Sequence, residues 1–289
     1  MKSKSLLTLF LIFNTSCVFC QKRNFSSDIR FLNYLFSTRD YKGASEWINF
    51  KLENSPLSRN QTDTLNYYLG KSYYFQKDFT PATTYFNKVS KSSGLHVEST
   101  FYCALNLSYM EEYDMAEQKL RKLTLNDSML FELKKLQLAG LSLLKRDTAL
   151  YRSFSTYFTQ KHHALSKQEI NLDLHYNNMK KFKKKSKFLA GFMSAAVPGM
   201  GKLYTKRPGE ALATFFKTGL IGLPALEAYV KRGSSDARFI IFGSLFSALY
   251  IANIWGSVLS VNVYRTELNS TLDEKILLDL HIPLRSIFN

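Results

Sequence analysis

Residues 186–263, SKFLAGFMSAAVPGMGKLYTKRPGEALATFFKTGLIGLPALEAYVKRGSSDARFIIFGSLFSALYIANIWGSVLSVNV, hold the only long apolar runs in a chain that is otherwise charged, tyrosine-rich and helical in pattern. A first run, 188–197, breaks at Pro198-Gly199-Met200-Gly201 and is followed by a basic elbow of Lys202, Lys206 and Arg207. Segment 211–230 is interrupted by Lys217 and Glu227, and segment 237–263 carries Asn253 in its interior. A helix crosses the hydrocarbon core with about 20 predominantly apolar residues. The last segment meets that length, the middle one meets it with two charges inside, and the first is too short. The expectation is a membrane module over 188–263 with two transmembrane helices, a third crossing staying open.

In the last segment Ser244, Ala248, Ala252, Gly256 and Ser260 recur every four residues on one helical face. Lipid tails give no hydrophobic drive for pairing helices, so small residues that let backbones approach are expected to form the seam. Gly219, Gly222, Ala225 and Ala228 of the middle segment are the expected partners.

Outward from this module, the net charge of +16 is concentrated just before it. Lys180, Lys181, Lys183, Lys184, Lys185 and Lys187 precede the first apolar run, the position of a segment that meets anionic headgroups. No base-reading motif accompanies them, so a lipid surface is the expected partner and nucleic acid is not. Residues 166–187 are read as a basic connecting helix. Beyond the module, 264–289 reads as an amphipathic tail with Leu268, Leu272, Ile276, Leu277 and Leu280 on one face. Lipid or the N-terminal domain could bury that face, and His281-Ile282-Pro283 is expected to end the helix.

At the other end, Lys2 and Lys4, the apolar run 6–13 and a neutral stretch to Cys20 have the order of a secretory signal over 1–20. Removal after Cys20 leaves Cys103 as the single cysteine, which excludes a structural disulfide within one mature subunit and any cysteine metal cluster. Cys103 falls at a helix-core position and reads as a buried, inert thiol.

Residues 21–165 repeat with a period of about 34 residues, which means stacked helix pairs. In 63–96, Leu69, Gly70, Tyr73, Ala82, Phe86 and Val89 set the pattern, with Gly70 and Ala82 at the contact between two helices. Residues 97–130 repeat it with Cys103, Ala104, Leu107, Ala116, Leu120 and Leu123. An earlier unit shows Phe31, Leu32, Leu35, Ala44 and Ile48, and a weaker fourth occupies 131–157. The turns Arg39-Asp40-Tyr41, Lys77-Asp78-Phe79 and Glu112-Tyr113-Asp114 each pair an acid with an aromatic residue. This pattern resembles the tetratricopeptide repeat. The resemblance implies a groove for a protein or peptide, with Asn66, Tyr73, Tyr74, Thr100, Asn106 and Tyr109 on first helices as candidate contacts.

Catalytic chemistry is sought and not found. Gly199-Met200-Gly201-Lys202 lacks the leading glycine and the trailing Ser or Thr of a phosphate-binding loop, since Ala196 and Leu203 stand there. The histidines show no metal-ligand spacing, and no Gly-x-Ser-x-Gly elbow occurs. Lys217 and Glu227 are the sole intramembrane acid–base candidates, and snorkelling or pairing between helices explains them more simply than an ion path. Pro198, Gly199, Gly201, Tyr204 and Gly209 instead match Pro-Gly-x-Gly-x-x-Tyr followed by a glycine. The stretch resembles a small bacterial membrane module with two transmembrane helices, often attached to tetratricopeptide repeats.

The expected class is therefore all-α, a tetratricopeptide-like solenoid followed by a small transmembrane helical module. The expected function is a membrane-anchored interaction scaffold at the bacterial cell envelope, without enzymatic activity, cofactor or metal. Its partners would be a protein or peptide and anionic lipid, with homo-oligomerisation open. The signal places the repeats in the periplasm, anchored to the inner membrane. The alternative is a small transporter or membrane-enzyme subunit whose helical module is the active part.

Overall fold

The computed structural model describes residues 25–182 and 184–288. The signal read over 1–20, Lys183 and Asn289 lie outside them. Within the described residues the chain is all helical: α1 (Phe25–Ser37), α2 (Tyr41–Asn54), α3 (Arg59–Phe75), α4 (Phe79–Lys88), α5 (His96–Tyr109), α6 (Tyr113–Lys122), α7 (Ser128–Leu144), α8 (Thr148–Ser155), α9 (His163–Lys181), α10 (Lys187–Ala196), α11 (Met200–Tyr204), α12 (Pro208–Arg232) and α13 (Ala237–Phe288). Two compact units divide them, Met1–Lys134 with Leu284–Asn289, and Lys135–Pro283.

In the first unit the helices come as pairs joined by one recurring turn. Arg39, Lys77 and Glu111 take left-handed φ of 61°, 63° and 62°. Each is followed by an acid whose N–H reaches back to the last turn of the preceding helix: Asp40 to Leu35 O at 2.9 Å, Asp78 to Tyr73 O at 3.0 Å, Glu112 to Leu107 O at 2.9 Å. That six-to-one bond, with a shorter one from the left-handed residue itself, is the Schellman closure, which satisfies carbonyls the helix end leaves open. The third turn is thus Glu111-Glu112-Tyr113, one residue earlier than the acid–aromatic match suggests. The second unit holds a fourth turn of the same geometry at Arg146 (φ 62°), where Asp147 N–H reaches Ser142 O at 2.8 Å. Thr148 replaces the aromatic residue there.

The core of the first unit follows the periodic positions. Leu32, Leu35, Ala44, Ile48, Leu65 and Leu69 form one buried cluster. Gly70 sits under Phe86, whose ring atoms would lie 2.8 Å from an added Cβ, so α3 and α4 meet as closely as the absent side chain allows. Two polar ties lock this core. Asp28 pairs with Lys51 at 2.9 Å, and Asp63 accepts from Ser90 N–H at 3.0 Å and from its hydroxyl.

In the second unit α9 is more than a connector. Leu165 and Leu172 are fully buried, and Tyr176 stacks on Tyr151 of α8 with centroids 4.8 Å apart. Tyr151 donates to Asp173 at 2.6 Å. The apolar face of the tail is buried by protein: Leu280 presses on Gly140 of α7, and Gln137 donates to Leu280 O at 2.7 Å. Asp279 accepts from Asn171 at 2.7 Å and contacts His175 at 2.9 Å.

The expected break at His281-Ile282-Pro283 does not occur, because α13 is continuous from Ala237 to Phe288 with Pro283 inside it. A proline in a helix interior costs about 3 kcal/mol. Burial of Leu284, which is fully inaccessible, and the contact of the Phe288 ring with those of Phe101 and Tyr102 in the first unit offset that cost, at about 1.5–3 kcal/mol per large apolar side chain.

Candidate functional site

The Pro-Gly turn of the second unit is built from backbone outward. Val197 ends α10, and Gly199 takes φ 89°, a left-handed value that glycine adopts without strain. An added Cβ there would lie 2.3 Å from Ala211 O. Gly201 is tighter still, 2.1 Å from Ala190 O and 2.7 Å from both Ser194 Oγ and Ser257 Cβ. Gly209, the third glycine of the pattern, faces open space.

A buried polar seam holds this turn against α13. Asn253 accepts from Gly199 N–H at 3.1 Å and donates to Ser194 O at 3.1 Å, clamping both sides of the turn. Ser194 Oγ accepts from Gly201 N–H at 2.9 Å and is hydrogen-bonded to Ser257 Oγ at 2.6 Å. Thr205 and Ser260 hydroxyls meet at 3.0 Å. The N–H groups of Gly199 and Gly201 are therefore consumed internally, which is a physical reason this turn cannot cradle a phosphate. Tyr204 OH accepts from Ser186 N–H at 3.2 Å, and Lys185 Nζ stands 4.2 Å from the Tyr204 ring centroid.

The buried face of α13 is the one carrying Asn253, Ser257, Ser260 and Val261, and it packs on α10 and α11. Ser244, Ala248 and Ala252 of the expected seam are exposed, because the hydroxyls and the amide one residue round the helix have backbone partners to satisfy. Between α12 and α13 the small residues Gly219, Gly222, Gly243 and Ser244 line a cleft of about 880 Å³ that has no carboxylate, amine or imidazole. Glu227 pairs with Lys231 at 2.6 Å, one turn on, not with Lys217. Around the polar seam, large apolar side chains point outward, with Ile251 68%, Trp255 67% and Leu220 77% exposed.

The candidate groove residues lie on α3 and α5 of the first unit. Asn66, Tyr74 and Asn106 are buried, and Tyr73, Thr100 and Tyr109 are half-buried. Tyr73 stacks on Tyr85 at 5.6 Å, Tyr109 on Phe79 at 4.7 Å, and Tyr74 sits 6.5 Å from Tyr109 and 5.5 Å from Tyr102. Thr100 donates to His96 O at 2.7 Å. Both amide atoms of Asn106 are buried without a hydrogen-bond partner. The Phe288 ring lies 5.8 Å from Phe101 and 6.5 Å from Tyr102, and the Arg285 charge acts on Tyr74 and Tyr102. The aromatic face of α5 is thus covered by the chain's own residues 284–288. Sequence reasoning missed Tyr102, Phe101 and Phe288, and the apolar residues after Pro283 were the signal.

Beside this face, Tyr67 donates to Glu98, and Lys71 Nζ stands 5.3 Å from the Tyr67 ring centroid. Burial lifts the Glu98 carboxyl from 4.5 to about 8 and lowers the Lys71 ammonium to about 8. Burial likewise raises the Cys103 thiol to about 11, which keeps it protonated and unreactive. Of the lysine run, Lys180 and Lys181 end α9, Lys184 and Lys185 lie in the loop, and Lys187 opens α10. Lys180 Nζ is 4.6 Å from the Tyr176 ring centroid.

Among the described residues the protein is all helical, with one helix, α13, long and apolar enough to cross a membrane. No protein-family model, curated protein or solved structure matches the chain.

Proposed function

We propose that the chain is a membrane-anchored scaffold whose tetratricopeptide-like helix pairs present a surface to another protein or peptide at the bacterial cell envelope. One observation carries the reading: over α10–α13 the hydroxyls and the amide of Ser194, Asn253 and Ser257 turn inward while Leu220, Ile251 and Trp255 turn outward. This inverts the usual order of a water-soluble bundle and suits a lipid surround, where buried polar groups must be satisfied internally. At about 1.5 Å per residue α13 is far longer than a core of about 30 Å, so 237–263 would lie in lipid and the remainder in water. We take segment 211–230 of α12, interrupted by Lys217 and Glu227, as the second crossing, and α10, ten residues long and packed along α13 from Val258 to Tyr250, as a segment that enters the lipid without crossing it. An even number of crossings is supported by the contact of Phe288 with Phe101, which requires the repeats and the tail on one side. That side is the periplasm, with Lys231, Arg232 and Arg238 in the cytoplasm as the positive-inside tendency favours.

Washing membranes with alkaline carbonate tests the anchor. The chain is expected to stay in the pellet, and release into the supernatant would reduce it to a peripheral or soluble protein. The proposed partner surface is the part of the helix pairs of the first unit that lies outside the aromatic face of α5, which residues 284–288 cover.

A further inference from the structure

Where the lysine loop meets α13 in the second unit, a cavity of about 360 Å³ is lined by Arg146, Lys184, Lys185, Tyr264, Arg265 and Asn269. Its charges are unequally matched. Arg146 is neutralised by Asp273 through two hydrogen bonds of 2.6 and 2.9 Å. No ion pair among the described residues engages Lys184, Lys185 or Arg265. Lys185 is held in place by Tyr204 and Tyr264, whose ring centroids lie 4.2 and 5.8 Å from its Nζ. Arg265 is fixed by one hydrogen bond, Nη2 to Lys185 O at 2.6 Å. Its Nε is buried and has no hydrogen-bond partner in the protein. A guanidinium fixed at one end, with a dehydrated donor unused and two further cations beside it, is the arrangement that a multi-oxygen anion completes.

We propose that this cavity binds a phosphate group, with Arg265 as the hydrogen-bonding anchor and Lys184 and Lys185 as flanking cations. The phosphate could belong to an anionic membrane lipid or to a free phosphate anion, and placement favours the lipid. α10 and α13 run side by side, Val258 against Gly191, and the cavity lies just before the start of α10, where the apolar segment 237–263 of α13 gives way to Tyr264 and Arg265. Leu268 and Leu272 give the cavity an apolar wall for the root of a lipid. The lipid source rests on the membrane reading above, whereas the phosphate site does not.

The test is binding of a fluorescent phosphatidylglycerol to the full chain in uncharged detergent, with a fluorescent diacylglycerol, which has no phosphate, as the control probe. Arg265→Gln is expected to weaken phosphatidylglycerol binding about tenfold, the loss of a charge-assisted hydrogen bond, and to leave any diacylglycerol binding unchanged. Lys184→Gln, an exposed change that leaves the fold intact, is expected to weaken it by a smaller factor. Lys187→Gln, outside the cavity, should stay within about twofold. Displacement by millimolar inorganic phosphate would support the site with a free anion as its source. Displacement by unlabelled phosphatidylglycerol alone would support it with a lipid source. No phosphatidylglycerol binding by the wild-type chain, binding unaffected by both Arg265→Gln and Lys184→Gln, or equal weakening by Lys187→Gln would overturn the proposal. Release of the chain by carbonate would overturn the anchor and leave this detergent assay to stand separately.

Discussion

Replacing Gly201 by leucine is expected to disassemble the Pro-Gly turn from α13. The cause is backbone, not side-chain, congestion: Ala190 O would lie 2.1 Å from the new Cβ, and a carbonyl oxygen inside a helix cannot rotate away as a flexible side chain can. Ser194 and Ser257 close the other sides at 2.7 Å, so the turn must move outward and lose the 2.9 Å bond from Gly201 N–H to Ser194. Overpacking of about 1–3 kcal/mol and a lost buried hydrogen bond of about 1 kcal/mol combine to about 2–4 kcal/mol. Gly209→Leu is the matched control, because nothing lies within 4 Å of its Cβ position. Thermal unfolding in detergent should show a large loss for the first and little for the second. Equal damage from both would mean that the glycines serve something other than packing.

Leu284→Ala is the second change with a large expected effect. Leu284 is fully buried after a proline that already weakens the helix, and Phe288 rests on Phe101 and Tyr102 in the same unit. Truncating a buried leucine costs about 2–5 kcal/mol. Without it, the turn beyond Pro283 loses the packing that offsets the proline, so residues 284–288 should detach from the aromatic face of α5. The measurement is limited proteolysis with circular dichroism melting of the full chain in detergent. New cleavage after Pro283 and a lowered melting temperature are expected for Leu284→Ala. Ile282→Ala, at a position 39% exposed, should resemble the wild type. Wild-type behaviour of Leu284→Ala would remove the claim that the tail is docked.

The all-helical character was legible because periodic leucines and small residues such as Gly70 and Ala82 write helix contacts directly into the chain. The recurring turns were legible through their acids, though not to the residue. Arg39, Lys77, Glu111 and Arg146 adopt left-handed φ without glycine, so the acid after them is the only local sign, and in the third turn two adjacent glutamates leave its placement ambiguous by one residue. The continuation of α13 through Pro283 was not legible, because its cause is a contact between Phe288 and residues nearly two hundred positions earlier. The buried face of α13 was misassigned for a related reason. Small size marks Ser244, Ala248 and Ala252, yet what selects the buried face is the hydrogen-bonding demand of Gly199, Gly201 and Ser194, which no periodicity in α13 displays. The glycines of the Pro-Gly pattern announced a tight turn, and the structure explains Gly199 and Gly201 while giving Gly209 no steric role.

In the proposed topology the helix pairs and the tail share the outer side of a membrane, with 211–230 and 237–263 as the two proposed crossings. Adding protease to intact spheroplasts, with separate epitopes on the first unit and on the tail, reads that arrangement directly. Both epitopes should be lost while the membrane remains sealed. Protection of the first unit would reverse the orientation, and protection of the tail alone would contradict the even number of crossings on which the docked residues 284–288 depend.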